Sequence, residues 1–391
     1  MRTFLFVPPL PRMTGGLAVL YRVAAHLHAA GYPVFLVPRE GGAPGLDPAD
    51  QAGPPAPSAP PAPVMGWDEA AATLTPRDVW LVPEGWVNAL APGLRAGARC
   101  VVYVQNWAYL LSALPPGVAW PQLDVSFLAV SDPVAWYTRE VTGREAPVLR
   151  PGIDLALFRP AWTDGEDGRD GEGDGAVPDG PAQGPVRIAW MPRKNRALAQ
   201  QVRDLLAARL ALATSRGEPS VDVEWREIHG RTQAEVAELL RASHVFLATG
   251  FPEGCPLPPL EAMASGCLLV GFAGFGGWDY MHQALPGGVT PWWTATTPGE
   301  GPAGGHAHGA GAGGMDLPPN GYIAADADVV AAGLALERAV RLAATGGPEL
   351  AALRRAGLTT ARACSLERQR EAVLALWARA AAGELFPPAR N

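Results

Sequence analysis

Thr249-Gly250-Phe251-Pro252-Glu253-Gly254-Cys255-Pro256-Leu257-Pro258-Pro259-Leu260-Glu261-Ala262-Met263-Ala264-Ser265-Gly266 has the punctuation of a loop followed by a short helix. Apolar runs at 244–249 and 267–272 flank it and read as buried strands. Pro258 and Pro259 suit the first turn of a helix, where a missing N–H has no intrahelical partner to lose. Gly266 suits the position just past the last turn, which is commonly left-handed. Glu253 then lies in the loop after a strand and Glu261 in the first turns of the helix, so both carboxylates can face one cleft. A carboxylate so placed can hydrogen-bond sugar or ribose hydroxyls. For two bare glutamates the plain alternative is one solvated loop residue and one that complements the helix dipole.

The same alternation extends in both directions. Strands are expected at 3–7, 34–37, 79–82, 100–104 and 126–130, then at 186–191 and 221–228 ahead of the two already named. Helices are expected at 17–30, 133–142, 197–215, 233–242 and 260–264. This is an α/β chain built from parallel βαβ units. There are two series of such units, which predicts Rossmann-like domains at 1–160 and 186–364. Between them, 161–185 contains an Asp/Gly/Glu run from Asp164 to Gly175 with no apolar side chain to bury, and it reads as a disordered linker. Pro/Ala/Gly-rich 41–63 and Gly-rich 294–319 read as loops. The end of the chain, 329–383, is helical, with breaks at Gly346-Gly347-Pro348 and near Ser365.

Composition narrows the function. The 391 residues carry a net charge of -7, and 18% are charged. The acidic excess is concentrated around 164–179, and no Lys/Arg run of five occurs, which argues against a nucleic-acid partner. The four cysteines, Cys100, Cys255, Cys267 and Cys364, are scattered without a CxxC pair. That fits a reducing compartment, the cytoplasm. The apolar start of the chain ends at Pro8 and Pro9, too short for a signal segment. No stretch reads as a membrane span.

Two further motifs carry chemistry. Thr14-Gly15-Gly16 lies between the first strand and a long helix, where backbone can approach an anion closely; a tight turn with Thr14 as helix cap is the alternative. Arg193-Lys194, within Met191–Asn195, ends the first strand of the second series, where open parallel sheets bind ligands. Two cations there suit a diphosphate; an exposed basic turn is the alternative. Glu84 follows a strand and reads as a solvated loop residue; a place lining the cleft is the alternative. Trp278, Trp292 and Trp293 read as packing aromatics, and Asp279 as a cap. His306 and His308 in their Gly-rich loop lack an ordered third ligand, so no metal site is expected.

With these residues assembled, the chain resembles the retaining GT-B glycosyltransferases of family 4. The most specific mark is the spacing Glu253-x7-Glu261 with Gly254, Leu257, Ala262-Met263-Ala264 and Gly266. Further matches are Gly15-Gly16, the segment from Arg150 to Phe158, Arg193-Lys194 and Asn320-Gly321 near the last strand. The resemblance implies two Rossmann-like domains facing across a cleft, with a C-terminal helix (365–383) crossing back to the first. It implies transfer of a sugar from a nucleotide-diphosphate donor to a glycan, lipid or small-molecule acceptor, with retention, without metal and without a bound cofactor. Glu253 would contact the donor sugar and Glu261 the ribose. Arg193 and Lys194 would stabilise the leaving diphosphate. Gly15 and Gly16 would let the first domain approach the diphosphate or the acceptor. Gly254, Cys255, Pro256 and Leu257 complete the donor loop.

Two departures stand out. Pro256 stands where glycine is common, which removes one backbone donor. Gln105 and Asn106 stand where many members carry a histidine; they can hydrogen-bond an acceptor or sugar but carry no proton near pH 7. An epimerase or phosphorylase of the same architecture, or a non-catalytic sugar-nucleotide-binding subunit, are the alternatives. Peripheral membrane contact stays open, and oligomeric state is not legible.

Overall fold

The computed structural model describes residues 1–10, 13–39, 60–163, 177–285 and 315–387. The Asp/Gly run, most of the 41–63 loop, Trp292, Trp293, His306 and His308 lie outside the described residues. The chain divides into two compact units. The first is Met1–Gly152, Gly230–Glu235 and Cys364–Asn391; the second is Ile153–His229 and Val236–Ala363.

In chain order the first unit holds β1 (Thr3–Val7), α1 (Gly15–Ala29), β2 (Val34–Pro38), α2 (Trp67–Thr73), β3 (Val79–Pro83), α3 (Ala91–Arg95), β4 (Arg99–Val104), α4 (Trp107–Ser112), β5 (Ser126–Ala129) and α5 (Asp132–Thr142). Its sheet is parallel, in the order β2-β1-β3-β4-β5. β1 and β3 are buried at every position, as expected of strands covered on both faces. Thr14 caps α1, accepting the Leu17 N–H at 3.2 Å. The short helices α2, α3 and α4 were not expected from the sequence.

The second unit continues with β6 (Val186–Trp190), α6 (Arg196–Ser215), β7 (Val223–Glu227), α7 (Gln233–Arg241, of which Val236 onward belongs to this unit), β8 (Val245–Ala248), α8 (Leu257–Ala264), β9 (Leu268–Phe272), β10 (Gly321–Ala324), α9 (Val329–Thr345) and α10 (Pro348–Ala363). Its parallel sheet runs β10-β9-β8-β6-β7. Trp190, Val270, Leu336 and Val340 belong to its core. Both ends of the segment read as a linker are built into this unit. The Trp162 ring packs against Gly266, where a Cβ would sit 2.2 Å away. Ala182 donates to the Ala343 carbonyl at 2.8 Å.

In both sheets, crossovers leave in opposite directions from one pair of neighbouring strands. In the first unit that pair is β1 and β3; in the second it is β6 and β8. The connections there diverge and leave a crevice at the strands' carboxyl ends, where open α/β sheets bind ligands.

The final helix, α11 (Leu366–Ala381), belongs to the first unit. Ser365 caps it, accepting the Arg368 N–H at 3.2 Å. Trp377 is fully buried and donates its indole N–H to Thr3 Oγ1 at 2.9 Å. Arg99 donates to the Ala380 carbonyl at 2.8 Å. A Cβ on Gly152 would lie 2.5 Å from the Ser365 carbonyl oxygen, so the chain passes there only as glycine. Trp377→Ala is expected to destabilise the first unit by about 3–5 kcal/mol. Arg379→Ala, on the same helix with a side chain 54% exposed, should stay within about 0.5 kcal/mol. Denaturant unfolding followed through the first unit's transition measures both; equal effects would show that α11 is not part of that core.

Candidate functional site

The loops after β6 and β8 meet at the second unit's crevice. Lys194 forms an ion pair through Nζ with Glu253 Oε1, the two side chains being 29% and 14% exposed. Asn195 donates Nδ2 to the carbonyls of Thr249 at 2.8 Å and Phe251 at 3.1 Å. The buried Thr249 hydroxyl donates back to the Lys194 carbonyl. Asn195 adopts φ 60°, the left-handed region that asparagine tolerates better than most residues. Its side chain is spent on the neighbouring loop and does not cap α6. The first turn of α6 has no acidic residue and begins with Arg196, which lies 3.9 Å from Glu227. Arg193 is exposed at the same helix start. A helix N-terminus free of acids and flanked by cations favours an anion.

Glu253 is positioned by a third loop. Its N–H donates to the Gly274 carbonyl at 2.9 Å, and Gly276 N–H donates to the Glu253 carbonyl at 3.0 Å. Between them Phe275 adopts φ 72° and ψ -63°, the geometry of a strained three-residue turn. A Cβ on Gly276 would fall 1.8 Å from the Gly254 carbonyl oxygen, and one on Gly250 would fall 2.5 Å from Glu253 Oε1. Gly276 is therefore required by the close approach of backbone, whereas a Cβ at Gly250 would displace the Glu253 carboxylate. Gly274 N–H donates to Asp326 Oδ1 at 2.7 Å, and burial raises the pKa of that carboxyl. The roles of Gly274 and Gly276 were missed in the sequence, although glycines cluster there.

Pro256 precedes α8, with Pro258 and Pro259 in the first turn. Its carbonyl accepts the hydroxyl of the buried Tyr280. Gly266, at φ 85°, follows the helix end as expected. Glu261 is buried within α8. The ion pair lines a small cavity of about 20 Å³, open in part to solvent and with room for one group about the size of a water molecule. Lys194, Thr249, Gly250, Glu253 and Pro256 are among its walls, while Glu261, Arg193, Gly254, Cys255 and Leu257 are not. Asp279 is buried in a 3-10 turn, and Trp278 is half-buried. Asn320, also buried, donates to the Tyr280 carbonyl at 2.6 Å and to Thr360 Oγ1 at 2.8 Å, bracing the same loop.

The first unit's crevice corrects one sequence expectation. Glu84, read as a solvated loop residue, is only 4% exposed. It follows β3, and its carboxylate accepts the N–H groups of Gln105 at 2.9 Å and Asn106 at 2.8 Å. Two strand ends close around it, which a single sequence does not reveal. Gln105 donates Nε2 to the Gly16 carbonyl at 3.1 Å. A Cβ on Gly16 would lie 2.2 Å from Gln105 Oε1, whereas one on Gly15 would meet nothing within 4 Å. The space left by Gly16 is thus filled by Gln105, and the open glycine is Gly15. Asn106 accepts the Ala108 N–H at 3.0 Å and caps α4. Glu84 therefore ties the glycine turn, β3 and β4 into one cluster.

Burial pushes the Glu84 carboxyl up to about 7, against the opposing pull of the backbone N–H groups it accepts. The folded protein binds this proton more tightly than the unfolded chain. The group therefore contributes stability at low pH that is lost as pH rises from about 4.5 to about 7. Unfolding of the first unit measured across that window should show this decline in the wild type and a flatter profile in Glu84→Gln. Identical pH profiles would contradict the assignment.

A scan of protein-family models finds no match, and no curated protein matches in sequence. Solved structures do match along nearly the full length. Sucrose-phosphate synthase from Thermosynechococcus elongatus superposes with a TM-score of 0.56 at 14% identity, covering 98% of this chain and 100% of that one. The lipopolysaccharide outer core galactosyltransferase WaaB gives 0.58 at 11%, covering 98% and 100%. The catalytic domain of starch synthase IV from Arabidopsis thaliana, bound to ADP and acarbose, gives 0.53 at 12%, covering 97% and 99%. With its two parallel five-stranded sheets, this chain has the GT-B fold that these glycosyltransferases share.

Proposed function

We propose that the chain is a glycosyltransferase that moves a sugar from a nucleotide-diphosphate donor to a glycan, lipid or small-molecule acceptor. The observation that carries this reading is the Lys194–Glu253 pair at the β6/β8 crevice, set within the Glu253-x7-Glu261 spacing. Breaking a sugar–phosphate bond builds negative charge on the departing diphosphate. Lys194, Arg193 and the N-terminus of α6 offer fixed positive charge and N–H groups for it, with no reorganisation needed as that charge develops. Glu253, held by Gly274 and Gly276, is suited to accept hydrogen bonds from sugar hydroxyls.

Donor binding pulls Lys194 from its carboxylate partner toward the diphosphate and frees Glu253 for the sugar. Glu261 is assigned to the ribose, and Gly254, Cys255, Pro256 and Leu257 to the loop over the sugar. Gly15 offers open backbone to the diphosphate or the acceptor, and Gln105 and Asn106 are assigned to the acceptor or the sugar. Because protein cations supply the leaving-group charge, the reaction we propose uses no metal, and it proceeds with retention. Support for a nucleotide donor comes from the ADP bound by the starch synthase of the same fold.

Lys194 is the only lysine in the sequence, so amine-directed acylation of a side chain reports on this one residue. UDP, GDP, ADP or dTDP should protect it, and Glu253→Gln should make it more reactive by releasing the ammonium. In donor turnover, Lys194→Ala should cost roughly a hundredfold or more, the usual loss for one transition-state donor. If no nucleotide protects Lys194 and Glu253→Ala leaves donor turnover unchanged, the reading fails.

A further inference from the structure

The cavity lined by the ion pair bears on which donor is taken, on the footing of the donor reading above. Its polar side chains, Lys194, Thr249 and Glu253, belong to the cross-linked loops after β6 and β8. The Thr249 proton is committed to the Lys194 carbonyl, and Lys194 and Glu253 face each other. The remaining side chains are apolar. Met191, Phe246 and Phe272 form the strand-end side, and Pro256, Pro258 and Pro259 form the α8 side. Prolines have no N–H, so these three wall positions offer no backbone donor. The Pro256 carbonyl already accepts the Tyr280 hydroxyl.

A hydroxyl pushed among the apolar side chains, away from Glu253, would lose its water and gain no side-chain partner. A methyl group there would exchange water for close-packed carbon. We infer that the site takes a donor whose sugar carries a methyl group, either the C-methyl of a deoxyhexose or the methyl of an acetamido group. The methyl lies between the strand-end side chains and the proline run. The hydroxylated edge of the sugar stays by Glu253. Pro256, in place of a residue with an N–H, is then part of the specificity: it trades a donor for apolar wall.

The test is equilibrium binding of the full chain to donors matched in base and stereochemistry. The pairs are UDP-glucose with UDP-N-acetylglucosamine, dTDP-glucose with dTDP-6-deoxyglucose, and GDP-mannose with GDP-6-deoxymannose. In at least one pair the methyl-bearing sugar should bind roughly tenfold or more tightly, the scale of one methyl in an apolar pocket. The favoured pair tells acetamido from deoxy sugar. Ala248→Val, which narrows the pocket, should bring that ratio toward one. The ratio is the readout, so a variant that merely disturbs the loop does not imitate the result. If nucleotide sugars bind but no methyl-bearing member is favoured, this inference is overturned and the donor reading stands. If no nucleotide or nucleotide sugar binds, the donor reading falls and takes this inference with it.

Discussion

The parallel pairing of β6 with β8 brings the loops that follow them side by side, and the rest of the second unit's crevice answers to that juxtaposition. Two loops crossing at close range need their carbonyls satisfied and their charges matched. Asn195 meets the first need by giving up its capping role and taking a left-handed backbone so that its amide reaches Thr249 and Phe251. Lys194 and Glu253 meet the second. Glycine at 274 and 276 follows, because a side chain there would strike the backbone of Gly250 or Gly254 beside Glu253. The cluster is held by its own contacts, with Lys194 and Glu253 paired to each other.

The first unit solves the same topological problem with opposite chemistry. Its diverging strands are β1 and β3, and a buried carboxyl, Glu84, gathers the N–H groups of the β4 end. Gln105 then reaches the glycine turn after β1. One crevice is built on a charge pair at the surface, the other on an acid held in low dielectric, where its ionised form is disfavoured.

Much of this organisation was legible in the sequence because strand period, proline and glycine are local signals. The nine expected strands all formed, within a residue or two at their ends, and Pro258, Pro259 and Gly266 bounded α8 as their chemistry dictates. β10 is short, and the sequence marked it only through Asn320-Gly321. The short helices α2, α3 and α4 lack a long apolar period and were missed. Glu84 was misread for a different reason. Its burial depends on β3 and β4 being neighbours, a tertiary fact with no trace in the residues beside it. The Lys194–Glu253 contact spans 59 residues; each partner was identified alone from its place after a strand, but their meeting needed the sheet order.

The binding site we propose joins the loops after β6, β8 and β9 in one ligand-binding cluster. Amide hydrogen exchange of the full chain with and without a nucleoside diphosphate tests it most directly. Added UDP, GDP, ADP or dTDP should slow exchange in 192–196, 250–256 and 274–277 together. Slowing confined to other strand ends, or none at saturating concentrations of all four, would contradict it.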